Sequence, residues 1–105
     1  MLYMENEKPY LDSKLSLKQL AAFLELSTNH TSQIINENLN KNFFDFVNDY
    51  RINEVKKCLS DSKFSHYTLL AIAYECGFNS KSSFNSLFKI KTGLTPSEYQ
   101  KTLTA

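Results

Sequence analysis

The sequence predicts an all-α fold, and three observations carry that prediction. Only two glycines and two prolines occur among 105 residues, so few positions would break a helix. Apolar residues recur at three- and four-residue intervals, and the alternating β-branched runs typical of strands are absent. The length fits one domain with a modest core. We expect that domain at residues 9–105, preceded by a truncated lead-in helix or tail at residues 1–8.

The stretch at residues 72–91, IAYECGFNSKSSFNSLFKIK, predicts the second half of a helix-turn-helix. Gly77 supplies the positive φ that a tight turn needs. The helix after the turn places Phe84, Leu87 and Phe88 on one face. Its opposite face is small, polar and cationic, and a face of that kind can enter the major groove of DNA.

Capping signals and apolar spacing place the other elements. Ser16 and Gln19 predict a capping box before the first helix of the domain. Thr95 and Glu98 predict a second capping box before a final helix, which has Pro96 at its first position. The predicted boundaries are a first helix-turn-helix at about 17–39, a linker helix at about 42–60, a second helix-turn-helix at about 68–92 and a final helix at about 96–103.

The chain contains an internal repeat, because residues 21–35 match residues 73–88. Glu25 pairs with Gly77 in this match, and one extra residue enters the second turn. The repeat predicts two helix-turn-helix units joined by one long helix. A linker helix of about 17 residues spans about 25 Å, which would separate the two recognition helices by about 30 Å. Successive major grooves on one face of B-DNA lie about 34 Å apart, so one chain could contact two adjacent grooves.

Nearly the whole chain from Pro9 onward resembles the AraC/XylS family of bacterial transcription regulators. The resemblance rests on the runs LSLKQLA…LS.NH.SQIIN, FFDFVNDYRI and GF…S.F…FK..G.TP..Y. It implies a seven-helix domain, with two helix-turn-helix units joined by a linker helix, that binds double-stranded DNA sequence-specifically in the bacterial cytoplasm. It also implies an upstream sensor or dimerisation region absent from this chain, and no direct contact of this domain with a membrane.

Two helices carry most of the residues that we expect to contact DNA. In the family, bases are read mainly from outward positions of the third and sixth helices, and the helical wheel gives nearly the same positions. The predicted base contacts are Asn29, Ser32, Gln33, Asn36, Lys81, Ser82, Ser83 and Ser86. The predicted phosphate contacts are Ser16, Ser27, Ser80, Asn85, Lys89 and Lys91. A carboxamide can hold adenine N6 and N7 together, so we expect Asn29 and Gln33 to favour adenine.

The sequence departs from the family pattern at three positions. Glu25 stands where the first turn usually has glycine, which predicts a strained or differently shaped turn. Thr31 replaces a core leucine, which predicts weaker anchoring of the first recognition helix. Ser86 stands where many relatives carry arginine, and a serine makes one flexible hydrogen bond where arginine grips guanine with two. We therefore expect little base selectivity from Ser86.

Other functions find less support in the sequence. The net charge is only +1, although lysines concentrate in the second unit. The low charge and Ser86 leave open a protein-interaction module that keeps the fold without binding DNA. We expect no enzymatic activity, because no nucleophile elbow, apolar carboxylate pair or phosphate-binding loop is present in the sequence.

The cysteines and histidines do not predict a metal site. Cys58 and Cys76 are isolated in apolar helical contexts, which indicates two reduced core thiols. Together with His30 and His66 they lack the paired spacing of zinc ligands, so we expect neither a metal nor a cofactor.

Overall fold

The computed structural model describes residues 2–103, and within that range the chain forms helices and no strand. The prediction of an all-α fold is confirmed. The helices are α1 at Leu2–Glu7, α2 at Leu17–Phe23, α3 at Thr28–Gln33, α4 at Phe43–Leu59, α5 at Leu69–Glu75, α6 at Lys81–Thr92 and α7 at Pro96–Leu103. Short 3₁₀ turns lie at Pro9–Leu11 and Ser62–Phe64. No helix among these residues is long and apolar enough to cross a lipid bilayer.

Both predicted capping boxes form. The Ser16 hydroxyl accepts from the Gln19 backbone N–H at 3.1 Å, and the Gln19 side chain accepts from the Ser16 N–H at 3.0 Å. Thr95 and Glu98 make the same reciprocal pair at 3.2 and 2.8 Å. These bonds satisfy N–H groups that a helix start otherwise leaves without a partner, so the starts of α2 and α7 are fixed locally.

The long helix α4 belongs to two hydrophobic cores. Its first half supplies Phe46 and Val47 to a core built with residues of α1, the Pro9–Leu11 turn, the loop before α2, α2 itself and the turn after α3: Met4, Tyr10, Leu15, Leu20 and Ile35. Its second half supplies Ile52, Val55 and Cys58 to a core built with α5, α6 and the turn between them: Ile72, Ala73, Cys76, Phe78, Phe84 and Phe88. The molecule is elongated, at 45 × 25 × 22 Å, with α4 shared by its two halves.

The lead-in segment packs into the first core. Met4 of α1 is fully buried there, and the ring of Tyr3 lies 5.7 Å from that of Phe23 at the end of α2. Residues 2–7 therefore contribute to the packing of the first helix-turn-helix unit.

The two turns of the internal repeat share one hydrogen-bond pattern. The Leu26 N–H donates to the Ala21 carbonyl at 2.9 Å, and the Phe78 N–H donates to the Ala73 carbonyl at 3.0 Å. Glu25 has φ of 58°, a left-handed conformation that is unfavourable for a residue with a Cβ atom. The expectation of strain in the first turn is confirmed.

Gly77 provides the positive φ that the sequence predicts, and it also allows a close approach of neighbouring atoms that the sequence does not predict. Its φ is +101°, and a Cβ atom built there would lie 2.1 Å from the Tyr10 carbonyl oxygen and 2.7 Å from Arg51 Nε. Arg51 donates to the Tyr10 carbonyl at 2.8 Å and to the Asp12 carbonyl at 2.9 Å. The second turn is therefore seated on the Pro9–Leu11 segment and on α4, which fixes it relative to the first half of the molecule.

Candidate nucleic-acid interface

Helix α6 presents one apolar face and one polar face. Phe84 and Phe88 are buried, and Leu87 is half-buried beside them. On the opposite side the predicted contact residues are exposed; these are Lys81, Ser82, Ser83, Asn85, Ser86 and Lys89. The Ser80 hydroxyl caps the helix by accepting from the Ser83 N–H at 3.2 Å. The exposed face carries lysines at both ends and hydroxyls between them, which suits phosphate contact at its edges and hydrogen bonding at its centre.

The side chain of Thr31 is buried on the inner face of helix α3, and its hydroxyl is bonded within that same helix. Thr31 is fully buried, and its hydroxyl donates to the Ser27 carbonyl at 2.9 Å. This bond satisfies the polar atom that replaces a leucine's apolar surface. Asn29 and Gln33 are exposed on the other side of the helix. The two carboxamides therefore lie on the outward face that the sequence predicted.

The first unit differs from a regular helix after Gln33. The sequence predicts one continuous helix to about Leu39, but residues Ile34–Asn38 form a π turn. A π turn is wider than an α turn, so it shifts later side chains around the axis. Asn36 remains exposed, and its amide donates to the hydroxyl of half-buried Ser32 at 3.2 Å. Ser32 and Asn36 thus act as one bonded pair.

An acidic residue flanks the predicted adenine reader of the first unit. The amide nitrogen of Gln33 lies 3.3 and 3.4 Å from the two carboxylate oxygens of Glu37. Glu37 orients the Gln33 amide, and it also places a negative charge on a surface predicted to meet phosphate-rich DNA. Glu37 is not among the residues predicted from the sequence, although its position four residues after Gln33 on the same helix face is a signal for this contact.

Lys89 and Lys91 have different surroundings. Lys89 is exposed at the edge of the α6 face. Lys91 instead points toward α4, where its Nζ lies 2.8 Å from Asp49 Oδ1 and 3.9 Å from Asp45 Oδ1. The hydrogen bond to Asp49 raises the pKa of Lys91. Of these two predicted phosphate contacts, Lys91 already has a carboxylate partner within the chain.

The capping serines use their hydroxyls within their own helices. Ser16 and Ser27 are both exposed, and each accepts a backbone N–H of its own helix. A phosphate approaching either helix start would therefore meet a hydroxyl that accepts one N–H and still has its O–H to donate, along with N–H groups nearby.

The thiols and histidines lie apart from these faces. Cys58 and Cys76 are buried and free, with their sulfurs 3.9 Å apart, and burial raises the pKa of both thiols. His30 and His66 are exposed. Within residues 2–103, no cluster of three or more histidine, cysteine or acidic side chains could hold a metal ion.

Comparison with known proteins identifies the family. Residues 20–102 match a family model described as a helix-turn-helix domain. Over 86 residues the chain is 35% identical to an uncharacterised helix-turn-helix-type transcriptional regulator of Staphylococcus aureus. This aligned region covers 82% of this chain and 11% of that protein. Over 90 residues the chain is 31% identical to the melibiose operon regulatory protein of Escherichia coli, and this aligned region covers 86% of this chain and 29% of that protein.

A solved structure agrees with these relatives. The C-terminal domain of AraT, a response regulator from Geobacillus stearothermophilus, aligns with a TM-score of 0.77 and 26% identity, over 91% of this chain and 77% of that one. The chain thus spans only a minor part of the curated relatives' length but most of an isolated domain. It belongs to the AraC/XylS-type family of helix-turn-helix domains, the DNA-binding domains of bacterial transcriptional regulators.

Proposed function

We propose that this domain binds double-stranded DNA by placing α3 and α6 in two adjacent major grooves. The observation that carries the proposal is the shared helix α4, whose 17 residues serve both cores and hold the two units on one support. A helix of this length spans about 25 Å, which approaches the roughly 34 Å between successive grooves once the flanking units are added. Binding to chromosomal DNA would place the protein in the bacterial cytoplasm.

The first unit is the better candidate for direct base recognition. Asn29 and Gln33 are exposed carboxamides on α3, and each can pair with adenine through one acceptor and one donor. Glu37 engages one amide hydrogen of Gln33, which leaves the second hydrogen and the carbonyl oxygen for a base. Ser32 and Asn36 would contribute as a bonded pair beside them.

The second unit is proposed to bind mainly through hydroxyls and lysines. Ser82, Ser83 and Ser86 offer single hydrogen bonds to base edges, which supply weak discrimination. Lys81 lies with them at the start of α6, and Lys89 would contact phosphate without specifying sequence. Ser16, Ser27, Ser80 and Asn85 are proposed phosphate contacts, and Lys91 would join them only by exchanging Asp49 for DNA.

Selection from a random duplex library, followed by anisotropy titration of the recovered site, tests the proposal. We expect two short boxes about one helical turn apart, with adenine in the box bound by α3. Affinity should fall steeply as salt rises, because each neutralised phosphate releases counterions. Failure to enrich any site, with only weak and salt-labile binding, would contradict sequence-specific recognition by this chain.

The second candidate is a protein-interaction module. Glu37 on the α3 face and the pairing of Lys91 with Asp49 both reduce the positive charge offered to DNA, and the net charge is only +1. In that case selection from the random duplex library would enrich no DNA site.

We further propose that the domain works with a sensor or dimerisation region, which is supported by the greater length of its relatives.

A further inference from the structure

Asp49 lies where the two helix-turn-helix units meet. Its Oδ2 atom is 2.7 Å from the Nζ of Lys41, which follows the π turn of the first unit. Its Oδ1 atom is 2.8 Å from the Nζ of Lys91, which lies in the second recognition helix. Each oxygen of one carboxylate is therefore bonded to a different unit.

This junction is distinct from the packing inside each unit. The two cores use separate sets of residues from α4, so apolar packing joins each unit to the linker helix. The Asp49 carboxylate instead joins α6 to the end of the first unit, and Asp45 adds a longer contact of 3.9 Å to Lys91.

The Asp49 carboxylate of this junction is ionised throughout the neutral pH range. Burial acts to raise the pKa of Asp49, but the hydrogen bonds and charges of Lys41 and Lys91 outweigh it and lower that pKa. The Asp49 side chain is 24% exposed, compared with 43% for Lys41 and 26% for Lys91, so all three are partly shielded from solvent.

We propose that Asp49 is a positioning residue that fixes α6 relative to the first unit and so sets the spacing between the two DNA boxes that one chain accepts. The spacing part rests on the proposed binding to adjacent grooves. Hydrogen bonds to base edges tolerate displacements of only about half an ångström, so a small rotation of α6 about α4 changes which spacing can be bound. Ion pairs that remain partly accessible to solvent contribute little to global stability, so loss of the junction should alter this geometry more than it alters folding.

The test compares the wild-type chain with Asp49→Asn, Asp49→Glu and a charge-matched control, Glu7→Gln. Glu7 is an exposed carboxylate at the end of α1, so its replacement removes the same charge away from the junction. Each protein is titrated against duplexes in which the two selected boxes are moved one base pair closer or farther apart. Comparing affinities within each protein cancels the general gain in DNA affinity that follows from losing a negative charge.

We expect wild type and Glu7→Gln to lose affinity for the displaced spacings. In Asp49→Asn that loss of affinity should be about fivefold smaller, the fold-change that two partly exposed ion pairs of modest strength supply. Asp49→Glu should restore the wild-type profile in part, because it returns the charge on a longer side chain. An unchanged profile in Asp49→Asn, with both boxes still bound, would refute the proposal.

A measurement without DNA separates this inference from the proposed function. Spin labels attached at Asn36→Cys and Ser86→Cys report the distance between the two units by double electron–electron resonance, and both native thiols are buried. We expect Asp49→Asn to broaden the distance distribution and Asp49→Glu to narrow it again. Broadening in a chain that selects no DNA site would support the positioning role and contradict DNA recognition. Identical distributions in all variants would contradict the positioning role, whatever the DNA result.

Discussion

Replacement of Gly77 by alanine should destabilise the domain strongly, for two separable reasons. The first is backbone conformation: a residue with a Cβ atom at a left-handed φ costs about 1–2 kcal/mol, and Gly77 has φ of +101°. The second is collision, because the new methyl carbon would lie 2.1 Å from the Tyr10 carbonyl oxygen. That oxygen must move away, and its hydrogen bond from the Arg51 guanidinium would weaken.

The size of the second effect follows from the bond that is disturbed. A hydrogen bond to a charged group is worth about 1.5–3 kcal/mol, so the two effects together predict a loss of about 2.5–5 kcal/mol. The whole free energy of unfolding of a small domain is about 5–15 kcal/mol, so the variant would retain a fraction of its stability.

Gly93 provides a matched control. Its φ is +82°, but nothing lies within 4 Å of the Cβ position, so Gly93→Ala incurs the conformational cost alone. Urea denaturation should therefore show Gly77→Ala to be less stable than Gly93→Ala by about 2 kcal/mol, a shift of about 1 M in the urea midpoint. Equal losses in the two variants would refute the claim that the second turn is packed against Tyr10 and Arg51.

Four smaller changes test other parts of the structure. Gln33→Ala should relax base selectivity in one box of the selected site, which selection from a random duplex library would show. Lys89→Ala should lower the affinity for all duplexes evenly and reduce the slope of log affinity against log salt concentration by about one, which salt titrations would show. Glu25→Gly should stabilise the domain by about 1 kcal/mol in urea denaturation, because glycine removes the strain at φ of 58°. Because the folded-state pKa of Asp49 is lowered, its contribution to stability is present above its unfolded pKa of about 4 and lost as pH falls through the lower folded value. Asp49→Asn should thus shift the urea midpoint most at pH 7 and progressively less as the pH falls below about 4; a shift that does not shrink with falling pH would contradict this linkage.

The features that the sequence predicted are those with local causes. The capping boxes at Ser16 and Thr95 need only residues three positions apart, and both form. The apolar face of α6 follows from helical spacing, and Phe84 and Phe88 are buried as expected. The strained turn at Glu25 could be anticipated from a single position in the repeat.

The features that escaped prediction depend on residues distant in sequence. Arg51 bonds the carbonyls of Tyr10 and Asp12, and Lys91 bonds Asp49, across separations of about 40 residues that no periodicity encodes. The prediction that Lys91 contacts phosphate rests on its own helix alone, and nothing in that helix indicates the ion pair with Asp49. The π turn after Gln33 was also missed, because its apolar spacing resembles that of an ordinary helix end.

The repeat is symmetric in backbone pattern and asymmetric in packing, which explains how glutamate and glycine can occupy matching positions. Glu25 and Gly77 both have positive φ, and both turns close with the same hydrogen bond. Glu25 is exposed, so its side chain extends into solvent. The first turn therefore has the unfavourable backbone conformation but no collision of the side chain with neighbouring atoms. Gly77 is buried against Tyr10 and Arg51, so any side chain there would displace backbone that holds the two units together. Glycine is favoured in the first turn by backbone conformation alone, and in the second turn by backbone conformation and by the lack of space for a Cβ atom. A residue other than glycine is therefore tolerated only in the first turn.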